Sequence, residues 1–199
     1  MISDRFIIIG VLLQLWGCLV YARDTTRGNT KPNRVTWFLW FIAPTVAFAA
    51  ELNKGVGFIS LMTLSVGLGP LIVLAASFAS KKAYWKLRWS DYLCGLLSLL
   101  GLLLWLIYKD ANFAIVFSIA ADLLAAAPTL AKSFKHPETE SVEAYWPAIV
   151  NAGIALLVVD DWTVAQYGFP IYIFLVNIVF VALIRFKAGV VLGKKFRDT

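Results

Sequence analysis

The sequence predicts an all-α integral membrane protein of seven transmembrane helices, built as two parallel three-helix repeats joined by a linker helix. Three observations carry this: the composition, seven apolar runs of spanning length, and self-similarity at one fixed shift. AVILMFWYC make up 60% of the 199 residues and DEKR only 15%, against about 45–50% (Gly included) and about 25% in an ordinary soluble domain. So few charges cannot cover the surface of a water-soluble protein of this size. That excludes a cytosolic enzyme, a disordered chain and a secreted disulfide scaffold. The two cysteines, Cys18 and Cys94, fall inside apolar runs and read as free thiols in lipid.

A bilayer core about 30 Å thick takes about 20 residues at ~1.5 Å each. Runs of that kind cover residues 6–22, 35–52, 56–79, 92–108, 111–131, 144–159 and 164–184. The first could be taken for a signal peptide, since Leu15-Trp16-Gly17-Cys18 resembles a lipoprotein cleavage box. Trp16 is bulky where a small residue is needed, and Asp4 and Arg5 cancel instead of forming a basic leader, so the segment reads as a helix. Pro44, Pro70, Pro128, Pro147 and Pro170 lie inside these runs and read as kinks, because neighbouring membrane helices can re-satisfy the freed carbonyls.

Lysine and arginine set the orientation. The segments after the first, third, fifth and seventh runs hold fifteen of the 18 cations, leaving Arg5, Lys54 and Lys109 on the other side. The positive side faces the cytoplasm, so the N-terminus is expected outside and the C-terminus inside, in a plasma or inner membrane. The formal charge of +6 is then a topology signal, and no motif supports nucleic-acid binding.

Shifting the chain by 109 residues lays the first three runs on the last three. It matches Ala22 with Ala131, Thr30 with Thr139, Trp37 with Trp146, Ala43 with Ala152 and Glu51 with Asp160. Two three-helix units joined directly would be inverted; one further crossing, the run 92–108, makes them parallel. The units are residues 1–90 and 110–199, with 91–109 as the linker span.

The stretch from Leu123 through Pro128, Thr129, Lys132, Ser133, Thr139 and Ser141 to Trp146 resembles the PQ-loop motif, with Thr129 where the motif has Gln. SWEET sugar transporters, cystinosin-like carriers and the KDEL receptor share the same three-one-three build with parallel repeats. The resemblance implies a carrier that moves a small polar solute by alternating access. It also implies that an amide on the third helix of a repeat contacts the substrate, a position held here by Asn177.

Ionisable and amide groups at mid-membrane depth are costly and mark candidate sites. Asp122, Asn151 and Asn177 all lie roughly 12–20 Å deep at ~1.5 Å per residue, on three consecutive spans, and are expected to converge. Gln14 and Ser65 are the facing polar groups of the first half. Asp122 is read as a substrate or proton group. Trp37, Trp40 and Trp146 are candidate gates, and Pro44, Pro128 and Pro147 candidate hinges. Trp85, Trp89, Trp105 and Trp162 read as interfacial anchors, and Glu51, Asp160 and Asp161 as solvated caps. His136 stands alone, so no metal or cofactor is expected, and nothing suggests an enzyme. The expected partners are the bilayer, a small solute and protons, with self-association left open. The competing readings are a receptor or sorting protein of KDEL-receptor type and a non-transporting scaffold subunit. The missing mid-depth cation disfavours the receptor.

Overall fold

The computed structural model describes residues 3–80, 85–108, 111–187 and 191. Lys81, Lys82, Lys109, Lys194, Lys195 and Arg197, which entered the charge count, lie outside these residues, as does the side chain of Trp105. Seven α-helices follow in order: α1 (Ile7–Arg27), α2 (Arg34–Asn53), α3 (Ser60–Ala79), α4 (Trp89–Tyr108), α5 (Ala111–Lys135), α6 (Trp146–Val158) and α7 (Val164–Arg185). Every apolar run became a helix with ends shifted by a few residues. Among the described residues, α1, α2, α3, α5 and α7 are long and apolar enough to cross a membrane, and α6 is a shorter apolar helix.

Local chemistry sets several ends. Gly28, at φ 79°, closes α1 in the left-handed conformation that glycine adopts without strain. Asn33 then caps α2, its Oδ1 accepting from the amides of Val35 and Thr36 at 3.1 and 3.4 Å. Pro44, Pro70, Pro128 and Pro170 lie inside their helices as expected. Pro147 does not: it occupies the first turn of α6, where a missing N–H removes no helical bond, so it is no mid-helix kink. With 13 residues, α6 spans only about 20 Å. The chain before it, from His136 to Tyr145, makes two short 3-10 helices, Pro137–Thr139 and Val142–Ala144, and is buried at Pro137, Glu140, Ala144 and Tyr145.

Helix α3 packs against both α1 and α2, and α7 against both α5 and α6. Across the middle, α1 meets α6 and α2 meets α5, while α4 lies outside on α5 and α2. Small residues permit the close crossings, as is usual between membrane helices. Gly10 of α1 faces Asn151 of α6, Gly17 faces Pro147, and Gly69 of α3 faces Cys18. Cys18 is therefore interior, and the lipid-facing reading of its thiol is corrected.

The buried faces of the two halves match at a shift that differs from the 109 read by identity. At 108, buried Gly10, Gln14, Gly17, Cys18, Tyr21 and Thr25 of α1 fall on buried Ser118, Asp122, Ala125, Ala126, Thr129 and Ser133 of α5. The same shift lays Trp37, Trp40, Ala43, Ala47 and Ala50 on Tyr145, Ala148, Asn151, Ala155 and Val158, all buried. For α3 and α7 the shift is 107, pairing Met62 with Phe169, Val66 with Ile173, Pro70 with Asn177 and Val73 with Phe180. A one-residue change of shift turns a helix by about 100°, so at these shifts the buried Asp122, Asn151 and Asn177 fall on the buried Gln14, Ala43 and Pro70, whereas a shift of 109 sets them on Leu13, Ile42 and Leu68.

Candidate functional site

A cavity lies at the centre of the bundle, with about 40 Å³ open to the centre of a water molecule. A single water needs at least about 10–15 Å³ by that measure, so the space holds a few waters and no sugar. Its wall is made of pairs that occupy matching buried positions in the two halves: Gln14 and Asp122, Trp37 and Tyr145, Trp40 and Ala148, Val66 and Ile173, Pro70 and Asn177. Cys18, Val176 and Phe180 complete it.

Asp122 is 3% exposed. Its Oδ2 accepts from the Tyr172 hydroxyl at 2.5 Å, and its backbone carbonyl accepts from Trp40 Nε1 at 3.3 Å. Among the described residues its Oδ1 has no partner, and neither do Gln14 Oε1 and Trp37 Nε1 on the same wall. Buried polar atoms are nearly always paired, so three orphans on one small cavity, two acceptors and a donor, call for a polar guest. Asn177 donates to the Ile173 carbonyl of its own helix at 2.8 Å and presents the rest of its amide at the wall.

The expected convergence is partial. Asn151 does not line the cavity: its Nδ2 donates to Ser65 Oγ at 2.9 Å, and Ser65 donates to the Met62 carbonyl at 2.7 Å. This pair ties α6 to α3 beside Gly10 and is a packing contact. The reason is rotational, since Asn151 faces α1 and α3 while Asp122 and Asn177 face the centre. Trp37 and Trp40 do line the wall. Trp146 does not; it donates to Glu143 at 2.7 Å and meets Trp16 edge-on at 6.0 Å. Of the candidate hinges, Pro44 is buried within α2, and Pro128 lies within α5 one turn before Lys132.

Sequence reasoning missed the structure that closes the end of the bundle carrying most of the cations. Lys132 and Glu140 form an ion pair with side chains 1% and 0% exposed. Tyr21 and Tyr145 donate to Glu140 Oε2 at 2.6 and 2.9 Å, and Lys132 Nζ donates to the Lys31 carbonyl at 2.6 Å. The network joins α1 and the first loop to α5 and the loop before α6. Tyr145 belongs to both parts, since its ring stacks on Phe180 at 4.5 Å in the cavity wall. Nothing in the apolar periodicity marks Lys132 or Glu140; Lys132 entered the sequence reading only through the motif resemblance and the count of basic-side cations, and Glu140 read as an ordinary loop charge. Tyr145 falls opposite Trp37 only at the burial shift of 108, since the identity shift of 109 sets Trp146 there.

At the opposite end, Glu51 also departs from expectation. It is 1% exposed, accepts from Thr63 Oγ1 at 2.9 Å and leaves Oε2 unpartnered among the described residues. The chain reverses there, Val56 N donating to the Glu51 carbonyl, and folds α3 over the carboxylate. Asp160 and Asp161 are exposed, as solvated caps should be. Among the described residues no cluster of His, Cys, Asp and Glu could hold a metal.

These features define a helical integral membrane protein with a small, mostly apolar cavity at its centre, lined in part by the polar side chains of Gln14, Asp122 and Asn177. Comparison with family models, curated proteins and solved structures gives no match to the chain.

Proposed function

We propose that the chain is a carrier for a small polar solute, of SWEET-like PQ-loop build, working by alternating access of two parallel three-helix units, 1–90 and 110–199, about the linker span. The observation that carries this reading is the cavity wall, in which five pairs of matching positions surround three unpartnered polar atoms. The packing supports it too: exchanging α1 with α5, α2 with α6 and α3 with α7 leaves the contacts among these six helices unchanged, while α4 rests on α2 and α5 alone among the described residues. Sites at the interface of such units are where transporters bind their substrates.

The present conformation is closed. The Lys132–Glu140 network seals one end, and the core that holds Ala47, Ala50, Ala152, Ala155 and Val158 packs the other. Admitting a solute requires the units to part, with Pro44 and Pro128 as the points where α2 and α5 lack a backbone bond. Asp122 accepts a hydrogen bond from the solute or carries a coupling proton, and Gln14, Trp37 and Asn177 supply the remaining polar contacts. No lysine or arginine lines the cavity, which disfavours capture of a peptide carboxylate by a receptor. The N-terminus lies outside and the basic end in the cytoplasm.

The test begins with thermal stabilisation of the purified protein by a panel of monosaccharides, amino acids and vitamins at two pH values. Uptake of any stabilising compound into liposomes is then measured against pH for the wild type and Asp122→Asn. The amide retains an acceptor for Tyr172, so the variant folds, loses proton-linked accumulation and flattens the pH profile. Identical rates and profiles would remove the proton role. Failure of every compound to stabilise or enter would remove the carrier reading.

A further inference from the structure

A second cavity, of about 430 Å³, opens on the flank of the bundle, outside the two packed halves. It forms because α4 rests on α2 and α5 without touching α3 among the described residues, leaving a cleft between α3 and α4 floored by α2. Gly95 sets the floor, since a Cβ there would come within 2.9 Å of Val35 Cγ1, so α4 can lie close to α2 but not close the gap. The walls are apolar: Phe38, Leu74, Leu96 and Leu99 follow the cleft toward mid-membrane, and Leu96 is 56% exposed.

Only one end is charged. Arg34, at the first turn of α2, donates from Nη2 to the Ser77 carbonyl at 2.6 Å and from Nε to Ser77 Oγ at 3.1 Å. Its guanidinium lies 4.2 Å from the centre of the Phe78 ring. These contacts fix a cation at the mouth of the cleft, at the membrane edge. From Tyr92 to Leu99 the cleft runs about 10 Å along α4, at ~1.5 Å per residue. The order along it is cation, aromatic, aliphatic.

That order is the order of a phospholipid: anionic headgroup, interface, acyl chain. A helix from a second copy would need apolar complementarity along the whole cleft and has no use for a fixed cation at one end. We propose that the α3–α4 cleft is a site for an anionic phospholipid of the leaflet at the Arg34 end, its phosphate on the guanidinium and one acyl chain between α3 and α4. This lipid would brace α4 against α3, which it does not touch among the described residues. Basic pockets between membrane helices recognise headgroups in this way.

The probe is the full chain exchanged into nanodiscs of phosphatidylcholine containing equimolar phosphatidylglycerol of the same acyl chains, then released for native mass spectrometry. The wild type should retain one phosphatidylglycerol at least tenfold over phosphatidylcholine. Arg34→Gln should lose that preference, Arg34→Lys should keep most of it, and Leu74→Trp, which fills the cleft while leaving the cation, should lose retention of both lipids. If Arg34→Gln unfolds, the Lys and Trp variants still decide. Equal retention of the two lipids by the wild type, unchanged preference in Leu74→Trp, or a lipid-free dimer joined through this face would overturn the proposal.

Discussion

Glu140→Gln is the most informative single change, because Lys132 and Glu140 lie in a region with almost no solvent. The amide keeps the shape of the carboxylate and can still accept from Tyr21 or Tyr145, so what disappears is the charge opposite Lys132. Removing one partner of a fully buried pair costs about 3–5 kcal/mol, because the other charge is left uncompensated. If the network closes one end of the cavity, opening that end hydrates Lys132 and relieves the cost. At ~1.4 kcal/mol per tenfold, the balance shifts toward the open form by between about 10²- and about 4 × 10³-fold. Cys18 reports the shift, since it lines the cavity and is 1% exposed. In a Cys94→Ser background, a membrane-impermeant maleimide should modify Cys18 of Glu140→Gln at least tenfold faster than in the parent, from the basic side only. Adding Lys132→Met removes the stranded charge and should slow modification again. A Cys18 rate within threefold of the parent, in a protein whose melting temperature is also unchanged, would refute the view that this ion pair holds the closed state.

Further expectations concern packing and topology. Asp122→Leu, unlike Asp122→Asn, strands the Tyr172 hydroxyl and should lower stability by about 1–3 kcal/mol, measured by thermal unfolding in detergent. Gly17→Ala places a methyl against the Glu143 carbonyl and 2.6 Å from Pro147 Cγ, whereas Gly153→Ala meets only Phe174 at an ordinary 3.6 Å. The first should lower the melting temperature by several degrees and the second leave it nearly unchanged; equal effects would mean that α1 and α6 are not in close contact. Ser65→Ala should cost about 0.6 kcal/mol, the average for a hydrogen bond between membrane helices, and should spare uptake, because the Asn151–Ser65 pair lies off the cavity. Single cysteines at exposed Asn53 and Asp160 should label from outside, and those at exposed Asn29 and Glu138 only after permeabilisation. The reverse pattern would invert the orientation drawn from the cations.

What the sequence by itself determined is whatever depends on local composition. Seven apolar runs became seven helices because the hydrophobic length needed to cross a bilayer is a property of consecutive residues. Asp122, Gln14 and Asn177 were legible as candidate site residues for a related reason: a polar side chain at mid-depth needs a place away from lipid; Trp37 and Trp40 read as gates at the basic end of α2, and the structure puts them on the cavity wall. Tertiary structure alone decided which way each side chain turns. Residue identities favoured a shift of 109, whereas burial follows 108 and then 107, and only the burial register pairs Gln14 with Asp122. Asn151 was indistinguishable from Asn177 by depth, yet rotation about α6 gives it to Ser65. The bonds that close the bundle join Tyr21 to Glu140 across 119 residues and Lys132 to the Lys31 carbonyl across 101. Glu51, whose position at a helix end reads as solvated, is buried because α3 folds back over it. Such partners meet only after the helices pack, since contact between distant residues depends on the rotation and tilt of whole helices and leaves no periodic trace in either segment.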